Sequence, residues 1–171
     1  DGDGLDDMII GAKHESTVGD KTGAAYIIYG SDLLGGDLAL IGGGGDTGGA
    51  TSAEIRTLTG ILTSDTAGRF CAGVGDVSAD GYPDVAVAAP VADPHSEASG
   101  AVYILFSTPG VGVESGSLSG ADVTILGRAG YNYAGLGLAS GDVNGDGTND
   151  VLIGAPGNDV GGDNTGTIYI L

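Results

Sequence analysis

Positive charge is almost missing from this chain. With Lys+Arg 5 against Asp+Glu 23 and a formal net charge of -18 over 171 residues, its long-range field repels phosphate, which excludes nucleic acid and anionic membrane surfaces as partners. Cysteine is reduced to Cys71, so no internal disulfide and no CxxC-type redox or zinc motif can form; a small buried strand residue is the expectation there. Tryptophan is absent and aromatics are 5%, leaving few stacking platforms for a sugar. The two histidines, His14 and His95, stand in polar stretches without HExxH-like spacing and read as loop residues. No run of apolar residues is long enough to cross a membrane as a helix, so no membrane insertion is expected of this segment.

Glutamate is scarce as well. Only Glu15, Glu54, Glu97 and Glu114 are glutamates and the other 19 acidic residues are aspartates, a bias that solubility alone does not require. Gly 36 beside 41% hydrophobic residues fits neither a disordered acidic tail nor a helical bundle, because glycine disfavours helix interiors while Val, Ile and Tyr favour strands. The expectation is an all-β chain rich in turns.

Self-similarity supplies the organisation. One element recurs as DGDGLDDMIIGAK (1–13), DVSADGYPDVAVAAP (76–90) and DVNGDGTNDVLIGAP (142–156). A second recurs as TGAAYIIYG (22–30), SGAVYILFS (99–107) and TGTIYIL (165–171). Asp7, Asp84 and Asp150 are separated by steps of 77 and 66, as are Tyr26, Tyr103 and Tyr169, so these are true repeats with one insertion. The insertion falls in the glycine-rich stretch 33–60, which reads as a flexible loop. A Gly/Ala-rich element precedes the acidic loop at 67–75 and 129–141, and its copy for the first repeat would lie upstream of Asp1.

Each unit therefore reads as four short strands: an inner one ending at the acidic loop, an apolar one such as DVAVAAP, one around GAVYILF and a weaker one such as DVTILG. Four-stranded units every 60 to 70 residues fit antiparallel propeller blades better than solenoid coils. The division expected is a partial blade lacking its inner strand at 1–65, a complete blade at 66–128, and a blade lacking its outer strand at 129–171.

In DVNGDGTND, loop positions 1, 3, 5 and 9 are Asp142, Asn144, Asp146 and Asp150, Gly147 stands at position 6, and Thr148 offers a backbone carbonyl. Calcium is a hard cation that takes six to eight oxygens, and alternate residues of a tight loop aim theirs at one centre. The second loop offers Asp76, Ser78, Asp80, the carbonyl of Tyr82 and Asp84; the first keeps Asp1, Asp3, the carbonyl of Leu5 and Asp7. An EF-hand is rejected, because position 12 would be Ile153 or Val87 inside an apolar strand where a bidentate Glu is required. Isolated Asp/Asn/Gly turns commonly bind nothing, but three at equivalent places in a repeat favour a shared ligand. On ligand inventory loop three should bind most tightly, loop two less so with a Ser hydroxyl and a stiff Pro83, and loop one least.

The order inner strand, D-x-[NDS]-x-D-G-x-x-D, apolar strand, Gly-Ala-Pro, then Gly-x-x-Tyr resembles the FG-GAP repeat of integrin α-chain propellers and many bacterial surface proteins. The resemblance rests on Asp142 to Asp150 with Gly154, Ala155 and Pro156, on Asp76 to Asp84 with Ala88, Ala89 and Pro90, and on Asp3 to Asp7 with Gly11, Ala12 and Lys13. The Phe-Gly pair of the family is read as Phe70–Cys71 and Tyr133–Ala134, with the second inner strand three residues shorter than the third. The resemblance implies two and a half to three blades of a seven-bladed propeller, calcium in loops on its lower face, and a protein or glycan ligand on the opposite face. It implies an extracellular, cell-surface or periplasmic location and further blades elsewhere in a parent chain.

Metal ligation and strand packing account for the distinctive residues, so a non-enzymatic adhesion or interaction scaffold is the leading expectation. The rival is an accessory repeat domain of a secreted hydrolase of phospholipase or glycosidase type, with its catalytic module elsewhere. Acid–base pairs such as His14 with Glu15, or Asp93 with His95, read as loop decoration.

Overall fold

The computed structural model describes residues 1–30, 55–163 and 165–171. Among them the chain forms eleven β-strands and one short 3-10 turn, Leu118–Gly120. The first sheet holds β1 (Met8–Ala12), β2 (Ala24–Ile28), β3 (Ile55–Thr59) and the two-residue β7 (Gly116–Ser117). The second holds β4 (Phe70–Gly75), β5 (Asp84–Ala89), β6 (Ala101–Leu105) and β8 (Val123–Leu126), in that spatial order, and the third holds β9 (Gly137–Gly141), β10 (Asp150–Ala155) and β11 (Thr167–Ile170). All pairings between neighbours are antiparallel except β3 with β7. The architecture is all-β, as the turn-rich composition implies. Most of the glycine-rich stretch expected to be a flexible insertion lies outside the described residues, and its last part forms β3.

Alternation of side chains explains why the central strands have no polar face. Successive residues of a strand point to opposite sides. In β6, Ala101, Tyr103 and Leu105 join a core with Ala25, Ile27, Tyr29 and Leu58 of the first sheet. Val102 and Ile104 join a second core with Val74, Val151 and Ile153. The second sheet is thus covered on both faces, which its near-continuous apolar strands require.

A repeated backbone zipper joins the sheets at the end opposite the acidic loops. Ser64, Thr66 and Ala67 donate N–H bonds to the carbonyls of Asp20, Lys21 and Thr22 (2.9, 3.1 and 3.0 Å). Tyr131, Tyr133 and Ala134 donate in the same way to Glu97, Ala98 and Ser99 (2.8, 3.0 and 3.1 Å). The parallel bridges Gly23↔Ala67 and Gly100↔Ala134 complete each zipper. Gly23 and Gly100 have φ of 80° and 85°, and a Cβ on them would lie 2.1 and 2.4 Å from the Ala67 and Ala134 carbonyl oxygens.

These bridges correct the register of the inner strands. Ala67 and Ala134 are equivalent, so the second inner strand is one residue longer than the third rather than three shorter, and the extra residue is absorbed where the β4–β5 register shifts between Gly73 and Gly75. The pair to set against the family's Phe-Gly is therefore Ala67–Gly68 and Ala134–Gly135, with left-handed glycines of φ 76° and 93°; Phe70–Cys71 and Tyr133–Ala134 are not equivalent.

The third sheet repeats the second but leaves one face open. Ile168 and Ile170 stand where Val102 and Ile104 are buried, and they are 67% and 57% exposed beside Leu171 at 55%. An apolar patch of this kind drives association. Sedimentation velocity of this chain should show concentration-dependent self-association that the double substitution Ile168→Ser, Ile170→Ser reduces without loss of β-structure. A monomer at all concentrations would count against the open face as an association surface.

Candidate metal-binding loops

The three acidic loops lie at one end of the sheets, each closing immediately before β1, β5 or β10. A common hydrogen-bond register shapes them. The N–H at position 7 donates to the position-5 carboxylate in every loop: Leu5 to Asp3 (2.8 Å), Tyr82 to Asp80 (2.9 Å) and Thr148 to Asp146 (2.8 Å). At position 6, Gly81 and Gly147 donate to Asp76 Oδ2 and Asp142 Oδ2 (2.8 and 2.9 Å), and their φ of 94° and 91° is the left-handed turn that glycine permits. At position 2, Val77 and Val143 donate to Asp84 Oδ2 and Asp150 Oδ2 (3.1 and 2.8 Å).

The position-nine carboxylate also reaches out of its loop. Asp7 Oδ1 accepts from the Gly30 N–H and Asp84 Oδ1 from the Ser107 N–H, both at 2.9 Å, tying each loop to the residues just past β2 or β6. Asp84 is fully buried, and its two oxygens accept from Val77, Ser78 and Ser107, so its charge is met by aligned backbone dipoles. Sequence reasoning missed Gly30 and Ser107, since a backbone donor leaves no residue-type signature; only their shared spacing of 77 from one another marked them.

In loops two and three several of the named side chains hydrogen-bond within their own loop. Asp142 accepts from Gly145, Asp146 and Gly147, Asn144 donates its Nδ2 to Asp150 (3.3 Å) and accepts from Asp146 N–H (2.8 Å), and Ser78 Oγ reaches Asp76 at 3.5 Å. In loop one the Asp3 N–H donates to Asp1 Oδ1 at 3.0 Å. Backbone donation from Thr148, followed by the Asn144 side chain, holds the Asp146 carboxyl below the usual carboxylate range, so it stays charged into acid.

Among the described residues no three His, Cys, Asp or Glu side chains converge as a metal-holding group; the carboxylates are turned onto their own loop's N–H donors. The donor chemistry nonetheless fits a hard divalent ion: every candidate atom is oxygen, and loop three packs Asp142, Asp146 and Asp150 into nine residues within a stretch, 129–171, that contains no Lys or Arg. Three carboxylates so close and uncompensated repel one another unless a cation lies between them.

The other candidate residues build turns. Glu15 accepts from the Thr17 N–H and hydroxyl, which holds its carboxyl below the usual range, and Asp93 accepts from the Ala98 N–H (2.6 Å). A cavity of about 260 Å³ lies between loops one and two, lined by Ile9, Asp7, Tyr29, Asp84, Ser107 and Val113 among others, and neither His14–Glu15 nor Asp93–His95 borders it. Cys71 is half-buried and its thiol is pushed up by burial, so it is a poor nucleophile. No helix among the described residues is long and apolar enough to cross a membrane.

A family model described as the FG-GAP repeat matches residues 72–105 and 134–171. The chain is 36% identical over 163 residues to phosphatidylinositol-glycan-specific phospholipase D of Bos taurus, covering 90% of this chain and 17% of that protein. It is 33% identical over 161 residues to integrin alpha-PS5 of Drosophila melanogaster and 30% identical over 162 residues to integrin alpha-4 of Xenopus laevis, covering 14% and 13% of those proteins. The chain thus spans less than a fifth of these relatives.

The burial of Asp84 separates a structural carboxylate from the exposed ones. Asp84→Asn places an NH2 against backbone N–H donors, and should cost about 1–3 kcal/mol of stability even with calcium chelated. Asp80→Asn, at an exposed position, should change stability in chelator by no more than about 0.5 kcal/mol. Urea denaturation of both variants checks this, and equal losses in chelator would refute the distinction.

Proposed function

The chain carries FG-GAP repeats, and from that premise we propose that it is a calcium-binding β-propeller segment serving as a non-enzymatic scaffold for adhesion or protein interaction. The observation that supports this best is the recurrence of one loop register at one end of all three sheets, with an all-oxygen donor set and no neutralising cation in loop three. Calcium would be held by Asp142, Asn144, Asp146, the Thr148 carbonyl and Asp150; by Asp76, Ser78, Asp80, the Tyr82 carbonyl and Asp84; and by Asp1, Asp3, the Leu5 carbonyl and Asp7. Bound there, the ion would supply charge neutralisation and a rigid cross-link. The protein's part is to present the oxygens: glycine at position 6 turns the loop, and in loops one and two the position-nine carboxylate anchors it to the residues just past β2 or β6.

Exposed loops of this kind suit the millimolar calcium outside cells, so the proposed location is extracellular, cell-surface or periplasmic. The loops occupy one end of the sheets, which leaves the zipper end for a protein or glycan partner. A net charge of -18 disfavours polyanionic ones.

The phospholipase relatives favour a second reading, in which this segment is an accessory repeat domain of a secreted hydrolase whose catalytic module lies elsewhere in the parent chain. Both readings assign no catalysis to these residues. Ester, phosphodiester and glycoside substrates should therefore give no turnover with this chain, and turnover abolished by changing His14 or His95 would overturn both.

Calcium binding is tested by thermal midpoints with calcium and with chelator. A loop filled at 100 times its Kd adds about 2.7 kcal/mol to stability. Asp146→Ala should remove most of the calcium-dependent shift, Asp80→Ala less and Asp3→Ala least, while Asp163→Ala, a loop residue outside any metal motif, should leave it intact. If the shift survives Asp146→Ala, or Asp3→Ala removes more than the other two, the ranking fails; absence of any shift in the unaltered chain would sink the calcium reading.

A further inference from the structure

We propose that Asn144–Gly145 in loop three is a site of spontaneous deamidation, and that calcium in the loop suppresses it; the second half rests on the calcium reading above. Asparagine followed by glycine is the dipeptide most open to attack by the next backbone nitrogen, because no Cβ shields that nitrogen. This is the one Asn-Gly pair in the chain. Both residues are exposed, and a Cβ built on Gly145 meets nothing within 4 Å, so the turn around the pair is not packed against other parts of the chain.

The groups around the pair meet two demands of the reaction. The Gly145 N–H donates to Asp142 Oδ1 at 2.6 Å, which places a proton acceptor on the nucleophile. Asn144 Oδ1 accepts from the Asp146 N–H at 2.8 Å, a donor on the oxygen where negative charge develops. Asn144 Nδ2 donates to Asp150 Oδ1 at 3.3 Å, a contact that supplies no proton to the leaving nitrogen, which takes the one released by Gly145. Gly145 N bonds to Asn144 Cγ, the Cγ–Nδ2 bond breaks, and ammonia leaves with the proton from Gly145. Water then opens the cyclic imide at either carbonyl, giving an aspartyl or isoaspartyl residue at position 144. The net change is amide plus water to acid plus ammonia.

The product alters the loop at a proposed ligand. An aspartyl residue adds a fourth carboxylate, whereas an isoaspartyl linkage lengthens the backbone by one methylene and breaks the register of positions 3 to 9. Calcium opposes the reaction by engaging Asp142 and Asn144 Oδ1 and fixing the loop.

The test incubates the whole chain with calcium and with chelator, digests it, and follows by mass spectrometry the gain that accompanies amide-to-acid conversion. In chelator the gain should localise to Asn144. Asn149 and the buried Asn158, each followed by an aspartate whose Cβ shields the next backbone nitrogen, should stay unchanged over the same period. Asn144→Gln should abolish the gain. Calcium at about 100 times its Kd leaves about 1% of loops empty, so the rate should fall up to about 100-fold. No gain at Asn144 in chelator while the free peptide 142–150 reacts, or equal gain at Asn149, overturns the site. If calorimetry shows calcium bound and the rate does not change, protection is overturned. A gain in chelator with no calcium binding supports the site while the calcium reading fails.

Discussion

Everything in this fold hangs on the backbone zipper that repeats between successive sheets. Each copy places three consecutive-register N–H donors of one segment on the carbonyls that lead into the preceding sheet's central strand. The segments hold unusual backbone to do so: Lys21 and Ala98, Ser64 and Tyr131, Thr66 and Tyr133 are equivalent pairs, all left-handed, with φ between 49° and 70°. Such residues cost roughly 1–2 kcal/mol each, so six of them persist only because the hydrogen bonds and the two cores hold them there. The same unfavourable torsions recurring at equivalent positions mark a designed joint and not a local accident.

With the sheets fixed at that end, the acidic loops at the other end are free to differ in detail while keeping their register. Loop two uses a serine at position 3 and buries its last aspartate; loop three uses an asparagine and leaves its last aspartate half-buried. In loops one and two the position-nine carboxylate couples the loop to the sheet, since it receives a donor from beyond the next strand but one. Loop chemistry and sheet geometry therefore meet at single side chains, Asp7 and Asp84.

Much of the fold was legible because glycine, β-branched residues and the exact recurrence of Asp and Tyr spacings carry strand and turn information locally. The four strands of the second sheet fall where the apolar runs lie. Inner-strand register was misread, because a bulge between Gly73 and Gly75 adds a residue without changing composition, and only the Gly23 and Gly100 bridges reveal the true alignment. β7 was invisible for a related reason: Gly116 and Ser117 have no strand propensity and pair with β3 through backbone alone. In the loops, the residue types at positions 1 to 9 were readable from spacing, while the anchoring by Gly30 and Ser107 was not.

The connection from β6 to β8 does not stay with its own sheet. Before returning, it lays Gly116 and Ser117 along β3, sets Ser115 Oγ to accept from the Thr57 N–H (3.0 Å), and grips Tyr29, whose hydroxyl donates to Val113 O (3.1 Å) and accepts from Val113 N–H (2.7 Å). Sheets one and two are therefore latched at the outer edge as well as zipped at one end. A pulling force applied between them cannot peel one fastening and then the other; it loads both in parallel. The pair should yield abruptly as one mechanical unit.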